Sequence, residues 1–243
     1  VHDRTVNRRT EFMAGHRRNE RAEQVREAII QAAARTIGEK GYDKTSIARV
    51  AEEAGIAHGS VYLHFENRQA LFDSLLPTLG RRMLDFIRRR TRHTRTVLER
   101  ERVGLEANFA YLSTHPHLHR LTNEAEFFAP EAHREFYDHL AEGYVRALRR
   151  AHAAGELPGY TDADLEPMAY MLMGAREFLL SRYCVTGTEV RPLPQEVERI
   201  YMTVVARALS ATTPLPDEAA PSPEHAADAL REAAETDFGR GVV

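Results

Sequence analysis

Apolar side chains return every three or four positions over most of the 243-residue chain, the period of a helix with one buried face. Over 20–40, Val25, Ala28, Ile29, Ala32, Thr36 and Ile37 form one stripe, Gly41 closes the helix, and Tyr42 belongs to the same small core. A long helix is predicted over 67–93, with Leu71, Phe72, Leu75, Leu79, Met83, Phe86 and Ile87 inward and a kink at Pro77. Further helices follow over 96–114, 120–128 and 130–154, then a Gly155-Glu156-Leu157-Pro158-Gly159 turn. A helix capped by Thr161 or Asp162 runs to about Tyr183 and is apolar nearly all round, so more than one of its faces should be covered. A last helix spans 194–210. The fold class is all-α.

Residues 45–68, TSIARVAEEAGIAHGSVYLHFENR, carry a more particular pattern. Thr45 or Ser46 caps a short helix whose apolar face is Ile47, Val50, Ala51 and Ala54. Gly55 follows where a left-handed residue ends a helix, and His58 to His64 form a second short helix with Val61 inward. Two short helices joined by a glycine turn are a helix-turn-helix. The outward residues His58, Gly59, Ser60, Tyr62 and His64 are small or hydrogen-bonding, which suits a major groove. Asn67 caps the next helix. Arg68 in its first turn opposes the helix dipole, so a DNA phosphate is its expected partner.

The order T-x-IA-x-VA-x-x-AGIAHGSVYLHFENRQALF resembles the TetR family of bacterial transcriptional regulators, strongly over about residues 20–75. The matching residues are Thr45, Ile47, Ala48, Ala51, Ala54, Gly55, Ser60, Tyr62, His64, Phe65, Asn67, Arg68 and Leu71. Arg68 stands where the family more often has Lys, and Ala57 where it often has Ser or Thr, which removes one phosphate contact. The resemblance implies an N-terminal three-helix helix-turn-helix DNA-binding domain and a C-terminal helical ligand-binding and dimerisation bundle. The boundaries are a basic, disordered arm over 1–19, the DNA-binding domain over 20–66, the helical body over 67–210 and a flexible tail over 211–243. Thr45, Ser46, His58, Gly59, Ser60, Tyr62, His64 and Arg68 are the expected DNA contacts. Arg8, Arg9, Arg17 and Arg18 of the arm either touch phosphates or are idle. Val1 opens the chain, and Met13 offers an alternative start of translation.

Charge agrees with this division. Residues 1–90 carry 17 Lys+Arg against 12 Asp+Glu, and residues 91–243 carry 16 against 24. A basic head on an acidic body fits a DNA-reading domain on a body with another task. The single cysteine, Cys184, excludes an intramolecular disulfide framework and suits a reducing compartment. No apolar run is long enough to span a membrane, so the expected location is the cytoplasm, at the nucleoid.

Other chemistry is weaker. Gly38, Gly41, Lys44 and Thr45 echo a phosphate loop without its spacing or preceding strand. His115, His117 and His119 crowd together, but Pro116 and the lack of a Cys or carboxylate at ligand spacing favour a polar helix junction over a metal site. No hydrolase elbow or zinc-protease motif occurs, and the expectation is a regulator with neither enzymatic activity nor cofactor. Aromatic residues at helical spacing are core or pocket wall. By resemblance, Phe109, Phe127, Phe128, Tyr137, Tyr144, Met173 and Arg176 are the candidate ligand contacts.

Arg176, in mid-helix, needs a partner. The favoured reading is an ion pair with Glu124 or Glu126; the alternative is an anchor for a ligand's carboxylate or phosphate. Facing the cavity, Arg176 would select an anionic effector such as a fatty acid or acyl-CoA, whereas Glu124 and Glu126 would select a cationic drug. The expected function is a homodimeric repressor on a palindromic double-stranded operator, released by a small apolar or amphipathic effector. A regulator without an effector is the alternative.

Overall fold

A computed structural model describes the backbone of residues 3–210 and the side chains from Arg18 onward, so the tail expected over 211–243 lies outside the described residues. The first helix, α1, spans Asp3–Lys40. The stretch expected as a disordered arm is thus the N-terminal half of α1. It contains no proline, and its Arg, Glu, Met and Ala residues favour helix, so the helix of 20–40 extends backward unbroken. Gly41 ends α1 with φ of 87° and an N–H donated to the Ile37 carbonyl at 2.8 Å.

The head is completed by α2 (Ile47–Glu53), α3 (His58–Val61) and the start of α4 (Arg68–Thr91). Ser46 caps α2, its hydroxyl accepting the Arg49 N–H at 3.3 Å. Gly55, at φ of 67°, makes the turn into α3. Asn67 caps α4, accepting the Ala70 N–H at 2.8 Å. Ile29, Ile37, Tyr42, Ile47, Val50, Val61, Phe65, Leu71 and Phe72 are buried and form the core of the head.

The body consists of α4, α5 (Val97–Thr114), α6 (His117–Phe128), α7 (Pro130–Ala153), α8 (Leu165–Leu179) and α9 (Gln195–Leu209). Pro77 lies inside α4, which continues past it. Packing is close where glycine removes a side chain. A Cβ on Gly80 of α4 would stand 2.4 Å from the Phe136 ring of α7, and one on Gly38 of α1 would stand 2.4 Å from the His117 Cβ of α6. The helix expected to reach Tyr183 is α8 up to Leu179, continued by a π-type turn at Leu180–Cys184. A two-stranded ribbon absent from the sequence reading follows, β1 (Val185–Thr186) paired antiparallel to β2 (Glu189–Val190) around Gly187. Two-residue strands are too short to show an alternating pattern.

The all-round apolar character of α8 divides cleanly. Leu165, Met168, Ala169, Leu172 and Met173 are buried, while Tyr170, Met171 and Phe178 are exposed, Phe178 by 79%. In α9, Ile200 and Val204 are exposed in the same way, Val204 by 61%. Both helices therefore present an apolar face that the described residues leave in water.

Candidate nucleic-acid interface and internal cavity

Val61 is fully buried and anchors α3 from beneath. His58, Gly59 and Tyr62 are then exposed, and Ser60 and His64 are half-buried at the rim of the same short element. The His58 and Tyr62 rings meet edge to face at 5.4 Å. A Cβ on Gly59 would touch nothing within 4 Å, so the backbone there is open to a docking surface. Leu63, 83% exposed beside Tyr62, was overlooked in sequence because an apolar residue in this motif reads as core. Lys44 and Arg49 are exposed in the preceding loop and α2, with the Arg49 guanidinium donating to the Lys44 carbonyl at 3.2 Å.

Of the expected DNA contacts, Thr45 is corrected and Arg68 has partners within the head. Thr45 is 1% exposed and its hydroxyl donates to the Gly41 carbonyl at 2.8 Å, so it fixes the loop between α1 and α2. Arg68 is turned onto that same loop. Its Nε donates to the Thr45 carbonyl at 2.8 Å, and its Nη2 donates to the Tyr42 and Asp43 carbonyls at 2.6 and 3.2 Å. The guanidinium also lies 4.7 Å over the Phe72 ring. Arg68 remains exposed, and only the folded structure shows those carbonyls converging on it.

Beneath the head lies a cavity of about 360 Å³ between α4, α5, α6, α7 and α8. Its apolar wall includes Met83, Ile87, Phe136, Leu140 and Met173, a mixture expected of a small-molecule site. Among the sequence candidates, Tyr137, Tyr144, Met173 and Arg176 line it and three do not. Phe109 is buried in the core, and Phe127 is 78% exposed at the surface. Phe128 stacks on Tyr42 of the head, with ring centroids 5.3 Å apart. All three share the aromatic periodicity of the true wall residues, and periodicity alone does not tell cavity from core or surface.

The charged groups of the wall are arranged unequally. Arg176 pairs with Glu101, through Nη2 to Oε1 at 2.7 Å and Nε to the same oxygen at 3.2 Å. Its Nη2 also donates to the Glu101 carbonyl at 3.1 Å, and the Tyr201 hydroxyl donates to Glu101 Oε1 at 2.5 Å. Burial works to lower the pKa of Arg176, but the facing Glu101 carboxylate outweighs it and the guanidinium is held charged. An ion pair was expected, but not this one. Glu124 serves Arg120 and the Tyr42 amide, Glu126 is exposed, and neither lines the cavity.

Elsewhere in the wall, His119 Nδ1 lies 3.7 Å from Glu177 Oε1. Burial lowers the His119 pKa and raises that of Glu177, so both are driven toward their neutral forms. Burial also raises the Tyr137 phenol to about 12. His115 stacks on Tyr111 at 4.2 Å, and among the described residues no three His, Cys, Asp or Glu side chains converge as metal ligands.

Helix α6 touches both regions. Leu118, His119 and Thr122 border the cavity. Further along, Glu124 accepts the Tyr42 N–H at 2.8 Å, Phe128 packs on the Tyr42 ring, and Gln69 of α4 donates to the Phe128 carbonyl at 2.8 Å. Arg120 bridges Glu124 and the Glu39 carbonyl at the end of α1, at 2.5 and 3.1 Å.

A three-helix head with an outward-facing second short helix, carried on a helical body with a cavity, defines a helix-turn-helix DNA-binding protein with a separate helical body. Residues 29–75 match the family described as bacterial regulatory proteins, tetR family. Over 184 residues the chain is 26% identical to the nucleoid occlusion factor SlmA of Vibrio vulnificus, covering 74% of this chain and 92% of that one. Over 63 residues it is 40% identical to the HTH-type transcriptional regulator TtgR of Pseudomonas putida, covering 26% and 30% of the two chains. The structure of the transcriptional regulator FadR from Bacillus subtilis in complex with stearoyl-CoA is similar, with a TM-score of 0.58, 19% identity and coverage of 76% and 97%. The family match lies in the head, and together with these relatives it supports a TetR-family DNA-binding regulator. Among the described residues no helix is long and apolar enough to cross a membrane.

Proposed function

We propose that this chain is a ligand-responsive repressor, working as a homodimer on a palindromic operator. The observation that carries this reading is the position of α6, which borders the cavity at one end and holds the head at the other through Glu124 and Phe128. A ligand that fits one position of α6 better than another shifts the head between DNA-competent and DNA-incompetent arrangements, with a typical coupling of about 1–3 kcal/mol. The exposed apolar faces of α8 and α9 are the surfaces that a second copy covers. His58, Gly59, Ser60, Tyr62 and His64 enter the major groove, and Ser46, Lys44 and Arg49 flank it toward the phosphates. The effector is a small apolar or amphipathic molecule, in keeping with the mainly apolar wall.

Fluorescence anisotropy of the purified protein on the intergenic DNA upstream of its own gene, across a salt series, tests the DNA-binding half. Tight, sequence-dependent binding that weakens steeply with salt is expected. Binding no stronger than that to scrambled DNA at every salt concentration would refute a local operator. Release of the DNA by a compound that also raises the thermal stability of the protein is expected of an effector.

A further inference from the structure

Five guanidinium groups border the cavity, and three of them are engaged by carboxylates. Arg176 is paired with Glu101, Arg88 with Asp85 and Arg146 with Glu142. Arg100, in the first turn of α5, and Arg150, in the last turn of α7, have no carboxylate partner among the described residues. Arg100 is half-buried and, among the described residues, donates only to the Thr91 carbonyl, at 3.3 Å. Its pKa lies below the ordinary value, first because burial strips water from the charge and then because the Arg150 charge repels it. Tyr144, on the same helix as Arg150, lies beneath the Arg176 guanidinium, which is 5.2 Å from its ring centroid, and its buried hydroxyl has no hydrogen-bond partner among the described residues. Two guanidinium groups without a carboxylate ion-pair partner among the described residues and a buried hydroxyl line the same apolar cavity, and together they can hold an anion. The cavity reaches the surface, because Arg88, Arg146 and Arg150 are exposed.

We propose that the effector is an organic anion whose head group sits between Arg100 and Arg150 and accepts the Tyr144 hydroxyl, with its apolar body along Met83, Ile87, Leu140 and Met173. This rests on the reading of the cavity as the effector site. The cavity volume of about 360 Å³ lies within the range of small-molecule pockets, about 300–1,000 Å³, and takes a medium-length alkyl carboxylate. A cationic amphiphile of the same length meets repulsion from Arg100 and Arg150. Arg176 forms part of the wall but is already neutralised, so it is not the anchor.

The test is calorimetric titration of the full chain with decanoate, decanol and decylamine, each below its micellar concentration. Decanoate should bind at least about tenfold more tightly than decanol, since charge-assisted hydrogen bonds distinguish them, and decylamine should bind weakest. The double variant Arg100→Met, Arg150→Met should bring decanoate to the affinity of decanol and leave decanol unchanged. Tyr144→Phe should weaken decanoate several-fold and spare decanol. Gly143 lines the cavity and a Cβ there meets nothing within 4 Å, so Gly143→Phe should fill the space and abolish binding of all three.

Equal binding of decanoate and decanol, with both lost in Gly143→Phe, overturns the anion assignment and leaves the cavity reading standing. Binding that survives Gly143→Phe overturns the cavity reading itself, and failure of all three probes to bind overturns both. If the double arginine variant does not fold, the three probes on the wild-type protein and on Tyr144→Phe still decide the question.

Discussion

Replacing Glu101 by alanine leaves the Arg176 guanidinium charged in the interior with no counter-ion. The side chains of the pair are 10% and 7% exposed, so water cannot take over the role of the carboxylate. Removing one member of such a pair costs about 3–5 kcal/mol. For a domain of this size each kcal/mol lowers Tm by about 2–4 °C, which predicts a fall of about 6–20 °C. The assay is denaturant and thermal unfolding followed by circular dichroism for Glu101→Ala, Arg176→Met and the double variant Glu101→Leu, Arg176→Met. The double variant should recover most of the loss, because an apolar pair of similar volume avoids the desolvation cost of both charges. It also strands the Tyr201 hydroxyl, at about 1–3 kcal/mol, and adding Tyr201→Phe should remove that penalty. A loss below about 1 kcal/mol in Glu101→Ala, or a double variant no better than the worse single, would refute the view that this network ties α5 to α8 and α9.

Arg68→Met should destabilise the head by about 1.5–3 kcal/mol through its lost bonds to the 42–45 loop, yet leave the slope of DNA affinity against salt unchanged; a slope reduced by about one phosphate would restore the phosphate contact. Tyr62→Ala and His64→Ala should each weaken operator binding by about 1–3 kcal/mol without changing the Tm of the body, and anisotropy at one salt concentration beside a melting curve checks both. Val204→Glu should shift the protein from dimer to monomer in sedimentation equilibrium, since a carboxylate replaces an apolar contact on the exposed face of α9. Burial holds the His117 imidazole down at about 4, below its ordinary 6.5, so the folded state disfavours the proton. Its contribution is therefore complete above about pH 6.5 and is lost as pH falls toward 4, and His117→Gln should show a smaller acid loss of stability than wild type in denaturant titrations across that window.

Helix positions were legible because burial of one face repeats locally. The stripe of α1, the faces of α2 and the caps at Ser46 and Asn67 depend on residues a turn apart, and local chemistry decides them. The motif over 45–68 was legible for the same reason, since its glycine turn, its buried Val61 and its outward residues lie within one short segment. The failures concern partners distant in sequence. Arg68 was read by its place in a helix, but the carbonyls it binds lie 23 to 26 residues earlier. Arg176 was given a partner on α6, but the carboxylate that meets it is 75 residues away on α5.

Periodicity also treats Phe109, Phe127 and Phe128 as equivalents of Tyr137 and Tyr144. Which aromatic ring faces the core, water, the head or the cavity depends on how the helices rotate against each other. The sequence by itself determined the all-helical class, the head and the family resemblance, because these follow from patterns that a few consecutive residues complete. Only the tertiary structure decided that Arg100, Arg150 and Tyr144 line a cavity in whose wall Arg176 is neutralised by Glu101. Charges on separate helices acquire their meaning from the distances that packing sets between them.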